Sequence, residues 1–160
     1  MTPIRIPDGV RAAIYAHARG AFPDECCGYL CGPAGGDAVE LAVACRNAQA
    51  DGDHPVAPAR GADTGFVIAG AELLQFARRF DGAQPPRIVY HSHTHGRAYF
   101  SDVDRAVAAG PAYPVQHLVV GVIAEPPGCR VVEAAQFAWS IDAGDHVEVA
   151  RWSVGGARPI

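Results

Sequence analysis

The run HSHTHGRAYFSDVD, residues 91–104, sets three histidines on alternate positions and follows them with a serine and two aspartates. His91 and His93 stand at the end of an expected strand, PPRIVYHSH. Strand side chains alternate between faces, so these two point the same way and lie within about 7 Å of each other. Two imidazoles so placed can hold one metal ion, at zinc-to-nitrogen distances of about 2.0–2.1 Å. Asp104 follows Ser101 by three residues on an expected helix, shares its face, and could turn a carboxylate to the same point. Two imidazoles and one carboxylate leave a fourth tetrahedral position open for water, the arrangement of catalytic rather than structural zinc. A water activated there needs a base to take its proton and return it to a leaving amine. Glu25 is the best candidate, because it directly precedes an apolar strand where an acid has little structural purpose.

Each residue also has a plainer reading. Alternating histidines on a strand often just face solvent. Ser101 suits a helix N-cap, with Asp104 as a first-turn acid that the helix dipole favours. Glu25 alone would read as a surface acid near a turn. Cys27 reads as a core thiol rather than a nucleophile, since no histidine lies near it in sequence. His95 reads as solvent-facing or as a neighbour of the ligands, and His17, His54, His117 and His146 lack companions at metal-binding spacing.

The elements that must position these residues follow from periodicity. Asp8 is expected to cap an amphipathic helix that ends near Gly20 and Pro23, with Val10, Ala13 and Ile14 facing inward. ECCGYLCG reads as a buried strand and VELAVACRN, residues 39–47, as its neighbour. Residues 48–65 show no periodicity and read as a long loop. AGAELLQFARRF places Leu73, Phe76, Ala77 and Phe80 on one helical face, expected to be core. The strand ending in His91 and His93 follows, then a helix DVDRAVAAG capped by Ser101 and ended by Gly110-Pro111. QHLVVGVIA, CRVVEAAQFAW and DHVEVARWSV complete the chain as strands. The reading is a mixed α/β (α+β) domain, one domain over residues 1–160, with a mixed, meandering β-sheet and helices packed on it. Its motif-bearing core runs from about 8 to 135.

Composition narrows the function. Nearly half of the 160 residues are hydrophobic, which fits a compact domain and excludes a disordered one. The formal net charge is -4 and every basic residue is an arginine, scattered rather than striped, so nucleic acid is not an expected partner. The opening MTPIRIPDGV does not read as a secretory signal and no apolar run is long enough to span a bilayer, so the cytoplasm is the expected location and no membrane contact is expected. Five cysteines without CxxC pairs read as reduced thiols. Trp139 and Trp152 in the terminal strands could seal the sheet or form the contact of a homodimer.

Taken together, H-x-H-x7-S-x-x-D from His91 and PDECCGYLCG upstream resemble the JAMM (MPN+) metalloprotease family. The register is specific: starting from His93 and His95 instead would put Val103 and Ala106 where the serine and the aspartate stand. The resemblance implies the JAMM/MPN fold, which is cytidine-deaminase-like. It implies one zinc ion per chain held by His91, His93 and Asp104, Glu25 as the general base, and Ser101 steadying the oxyanion. Within the family, YHSHTHGRAYFSDVD and HARGAFPDECCGYLCGP are most similar to small bacterial members that act on a ubiquitin-like sulfur-carrier protein. That likeness implies hydrolysis after a C-terminal Gly-Gly, releasing cysteine or a short peptide. The tail would lie extended beside residues 64–68, with 48–65 as a flap. A deubiquitinase-like isopeptidase acting on Lys-linked conjugates is the alternative enzyme, and a non-catalytic module that binds a ubiquitin-like protein is the alternative outside catalysis. Phe100 stands where many relatives have proline, and Thr94 where the eukaryotic type does, which bears on the substrate-facing loop rather than on the ligands.

Overall fold

The structure, a computed structural model, describes residues 1–51 and 59–155. Its order is α1 (Asp8–Ala21), β1 (Cys27–Cys31), β2 (Leu41–Cys45), α2 (Gly70–Arg79), β3 (Pro86–His93), α3 (Asp102–Ala109), β4 (Gln116–Glu125), β5 (Gly128–Ser140) and β6 (Asp145–Ser153). The strands form one mixed sheet in the order β2-β1-β3-β4-β5-β6. β3 pairs antiparallel with β1 and parallel with β4, with α3 carried on the crossover between them. The meander expected from sequence holds for β4, β5 and β6, while its first half is folded about β3.

β3 separates the two faces by its alternation. Ile88 and Tyr90 join the core that α1 covers, together with Val10, Ile14, Leu30, Leu118 and Val120. On the other face Tyr29, Cys45 and Phe76 form a second core, against which Val89, Phe80 and Tyr113 pack. His91 and His93 fall on that second face by the two-residue period.

Several sequence expectations shift. Asp8 is not the cap of α1: Pro7 occupies the N-cap without a side-chain bond, and its carbonyl already accepts from Arg11 N–H at 2.9 Å. The helix therefore starts one residue earlier, with Asp8 in the first turn, where the dipole favours an acid. Its buried positions are Val10, Ile14 and Ala18, spaced four apart, and Ala13 turns to solvent. β2 is shorter than residues 39–47. Residues 48–65 are not wholly irregular, since Ala48–Asp51 form a 3-10 turn. On α2, Phe76 is buried but Leu73 is 40% exposed, so the expected stripe is core only in part. Trp152 seals α1 to the sheet: its indole N–H donates to Tyr15 Oη at 2.7 Å and Arg11 lies over its ring at 4.1 Å. Trp139, by contrast, is 51% exposed. His54 and the tail from Gly156 lie outside the described residues.

Candidate metal centre

Two ends meet where β3 stops. The antiparallel register sets Cys27 opposite His91, so continuing it outward by two residues brings Glu25 opposite His93. Ser92 locks that register, its hydroxyl accepting from Cys26 N–H at 2.8 Å while its own N–H reaches Cys26 O at 3.1 Å. Ser101 caps α3 in a capping box: its hydroxyl accepts from Asp104 N–H at 3.1 Å, and its N–H donates to Asp104 Oδ2 at 2.9 Å. The box fixes the Asp104 rotamer, and the same Oδ2 faces the histidines.

The three atoms form a nearly equilateral triangle. His91 Nε2 lies 3.2 Å from His93 Nε2, and Asp104 Oδ2 lies 3.3 Å and 3.5 Å from the two nitrogens. Tetrahedral ligands at about 2.05 Å from a common ion stand about 3.3–3.4 Å apart, so the triangle fits zinc without rearrangement. His93 Nδ1 donates to Arg97 O at 3.0 Å, which assigns its lone pair to Nε2, as a ligating imidazole requires. His91 Nδ1 is buried and has no partner among the described residues. Phe66 stacks on the His91 ring at 4.3 Å between centroids.

The electrostatics suit a cation. Burial pushes His91 below its ordinary value, so its imidazole is neutral. Burial would raise Asp104, but the adjacent His91 and the hydrogen bonds it receives outweigh that and hold its carboxyl well below the carboxylate range. The donor set is thus two imidazole nitrogens and one carboxylate oxygen, all on buried residues.

Glu25 is 6% exposed, and it presents a ligand atom within 4.8 Å of those of His91 and His93. Burial first and the Asp104 charge second raise its value to about 9. Glu25, His91 and His93 thus also form a buried group able to hold a metal, so two carboxylates, Glu25 and Asp104, stand at the histidine pair. Cys27 is fully buried, and burial pushes its thiol up. His95 is exposed and stacks on Tyr99 at 5.7 Å, a rim residue of the cleft. That cleft, about 370 Å³, is lined by Glu25, Arg60, Phe66, His93, Tyr99, Ser101 and Asp104 among others.

Sequence reasoning missed Asn47. Its amide Nδ2 donates to Glu25 O at 3.0 Å and to Gly65 O at 2.9 Å, and its Oδ1 accepts from Gln49 N–H at 3.0 Å and Val67 N–H at 3.2 Å. It ties the backbone of Glu25 to the segment that borders the cleft. The available signal was an amide directly after an apolar strand and before a Gly/Pro-rich stretch.

The profile described as prokaryotic homologs of the JAB domain matches residues 7–142. The chain belongs to this family. A protein of Mycobacterium tuberculosis (strain H37Rv) named CysO-cysteine peptidase is 35% identical over 100 residues, 62% of this chain and 61% of that protein. The protein of the same name from Mycobacterium bovis matches to the same extent. The aligned region therefore spans less than two thirds of these relatives. Among solved structures, one from Desulfitobacterium hafniense superposes with a TM-score of 0.56 at 23% identity, covering 89% of this chain and 87% of that one. One from Salinibacter ruber does so at 0.57 and 18% identity, covering 90% and 87%. The mixed α/β fold of this JAB-family chain is thus shared with both. Among the described residues no helix is long and apolar enough to cross a membrane.

Proposed function

We propose that this JAB-family protein is a cytoplasmic zinc metallopeptidase of the JAMM type, acting as one domain. It hydrolyses the amide bond after the C-terminal Gly-Gly of a small ubiquitin-like sulfur-carrier protein and releases cysteine or a short peptide. The observation that carries the reading is the buried triangle of His91 Nε2, His93 Nε2 and Asp104 Oδ2, with Glu25 beside it. The name of the mycobacterial relatives supports the substrate class.

In this reading His91, His93 and Asp104 hold one zinc ion, which supplies Lewis acidity toward the scissile carbonyl and toward water. Glu25 accepts the proton of the attacking water and passes it to the leaving amine. The Ser101 hydroxyl, whose oxygen is engaged by Asp104 N–H, keeps its own hydrogen to donate to the developing oxyanion. Phe66 and Tyr99 wall the cleft. Val67 turns its N–H and C=O toward Asn47 and Ala48, whereas the main-chain groups of Phe66 and Ile68 have no hydrogen-bond partner among the described residues. An extended tail laid along 64–68 could take up those groups as an added strand.

The test pairs metal content with turnover. Elemental analysis is expected to give one zinc per chain in the wild type and in Glu25→Gln, and loss of zinc in His93→Ala and Asp104→Ala. Mass spectrometry of a carrier ending in Gly-Gly-Cys is expected to show cysteine removed by the wild type alone. Zinc retained in both ligand variants would sink the assignment. A carrier left intact by zinc-loaded wild type would move the protein to a binding module, and cleavage of only a Lys-linked conjugate would move it to an isopeptidase.

A further inference from the structure

We propose that Arg60 anchors the free α-carboxylate of the residue that leaves, so that the site is built as an exopeptidase. This rests on the peptidase reading above. The argument starts from where positive charge sits in the cleft. Of the described residues that line it with Glu25, Ser101 and Asp104, Arg60 alone carries a permanent positive charge. Its guanidinium Nη1 donates to the neutral carbonyl of Thr64 at 3.2 Å, and among the described residues it makes no ion pair with a carboxylate. A guanidinium has five donors in a planar fork suited to carboxylate, and Arg60, an exposed residue of the cleft lining, spends one of them on Thr64.

The backbone that carries Arg60 is held firmly for a loop. Gln49, fully buried, donates through Nε2 to Arg60 O at 2.8 Å. Glu25 N–H donates to Ala62 O at 2.8 Å, and the Thr94 hydroxyl donates to Asp63 O at 2.9 Å. Arg60 is thus mounted on a segment bonded directly to the main chain of Glu25 and to the residue after His93.

Position on the reaction path follows from Glu25. Arg60 and Glu25 line the same cleft, and the segment that carries Arg60 is bonded to the Glu25 main chain through Ala62. The amine that receives a proton from Glu25 therefore departs on Arg60's side of the cleft. In a C-terminal amino acid that amine and the carboxylate share one carbon, which puts the carboxylate carbon about 2.5 Å from the nitrogen. A cation beside the proton donor is then within reach of it. In a Lys-linked conjugate the leaving amine sits at the end of a flexible four-carbon stem and brings no free carboxylate with it. The same residue would favour the first substrate and give nothing to the second.

Two peptides test this, both ending in Gly-Gly-Cys, one with a free acid and one with a carboxamide terminus. Wild-type, zinc-loaded protein is expected to favour the acid by about 10- to 100-fold in kcat/KM, the scale of a hydrogen bond to a charged group. Arg60→Gln is expected to bring that ratio close to one. The ratio is the readout because Arg60 also acts on Glu25, which would change both rates together. Binding supplies a readout independent of turnover: calorimetry on Glu25→Gln should show the same acid preference, and Glu25→Gln with Arg60→Gln should lose it. Equal handling of the two peptides, or a preference that survives Arg60→Gln and so belongs to the metal, overturns the proposal. Acid preference in binding that depends on Arg60, with neither peptide cleaved, would uphold Arg60 as a carboxylate anchor while sinking the peptidase reading.

Discussion

Replacing Glu25 by glutamine in zinc-free protein should change how stability depends on pH, and the size of the change can be worked out. Glu25 titrates at about 9 in the folded chain, against an ordinary value of 4.5, chiefly because burial penalises its charge. Between those two values the folded chain keeps a proton that the unfolded chain has released. Stability must therefore fall as pH rises, by about 1.4 kcal/mol for each pH unit. From pH 5 to pH 8 that amounts to about 4 kcal/mol, as an order of magnitude. Glutamine has nearly the same shape and nothing to ionise. Urea unfolding followed by circular dichroism, in the presence of a chelator at several pH values, should show Glu25→Gln gaining on the wild type as pH rises. The depressed values of His91 and His117 give the opposite slope, stability being lost as pH falls below the ordinary histidine range, but they are common to both proteins and cancel in the difference. Adding zinc should shrink the difference, because a nearby cation favours the ionised carboxylate. Parallel curves for the two chelated proteins would refute the argument, since Glu25 would then be ionised throughout and not desolvated.

Ser101→Ala should keep zinc, lose about 1 kcal/mol of stability from the α3 cap, and lose about 100- to 1000-fold in rate; a rate loss no larger than the loss of folded protein would leave Ser101 a cap alone. Gly121→Ala should weaken zinc binding by about 10- to 100-fold with the far-ultraviolet spectrum unchanged. A Cβ there would lie 2.6 Å from Gly96 C and 3.1 Å from Arg97 N, which pushes on the turn whose Arg97 carbonyl orients His93. Metal titration of the variant checks it. Asn47→Ala should cost about 1–3 kcal/mol, because carbonyls of Glu25 and Gly65 lose a donor, and should open residues 60–65 to limited proteolysis.

The donor triangle was legible because each of its parts is local in sequence. A two-residue spacing decides that His91 and His93 share a face, and a three-residue spacing after a serine decides that Asp104 turns back on the helix start. Glu25 needed more, since its place depends on β1 pairing with β3 in the register that sets Cys27 against His91. Its place before an apolar strand made it the best candidate in the residue pattern, against a plainer reading as a surface acid, and the family likeness tipped the balance. Asn47 and Arg60 were out of reach for the opposite reason. Their partners are main-chain carbonyls, which have no signature in sequence, and they come from segments brought together only by tertiary folding. The start of α1 was misplaced for a local cause, because Asp8 has the stronger capping side chain while Pro7 has the backbone that begins the helix.

The topology accounts for why these pieces meet where they do. β3 is the strand at which the sheet changes direction, antiparallel toward β1 and parallel toward β4. A parallel neighbour requires a crossover, and the crossover carries α3 from the end of β3 back to the start of β4. The first turn of α3 must therefore stand over the C-terminal end of β3, which is where His91 and His93 are. Ligands in open α/β sheets collect at such switch points for this geometric reason. The positive end of α3 also favours the carboxylate that the capping box delivers there, while the antiparallel partner on the other side supplies Glu25 just before its own first residue. One strand reversal thus brings two imidazoles, an oriented carboxylate and a protonatable acid together, and the segment tied down by Asn47 adds Arg60 at the rim.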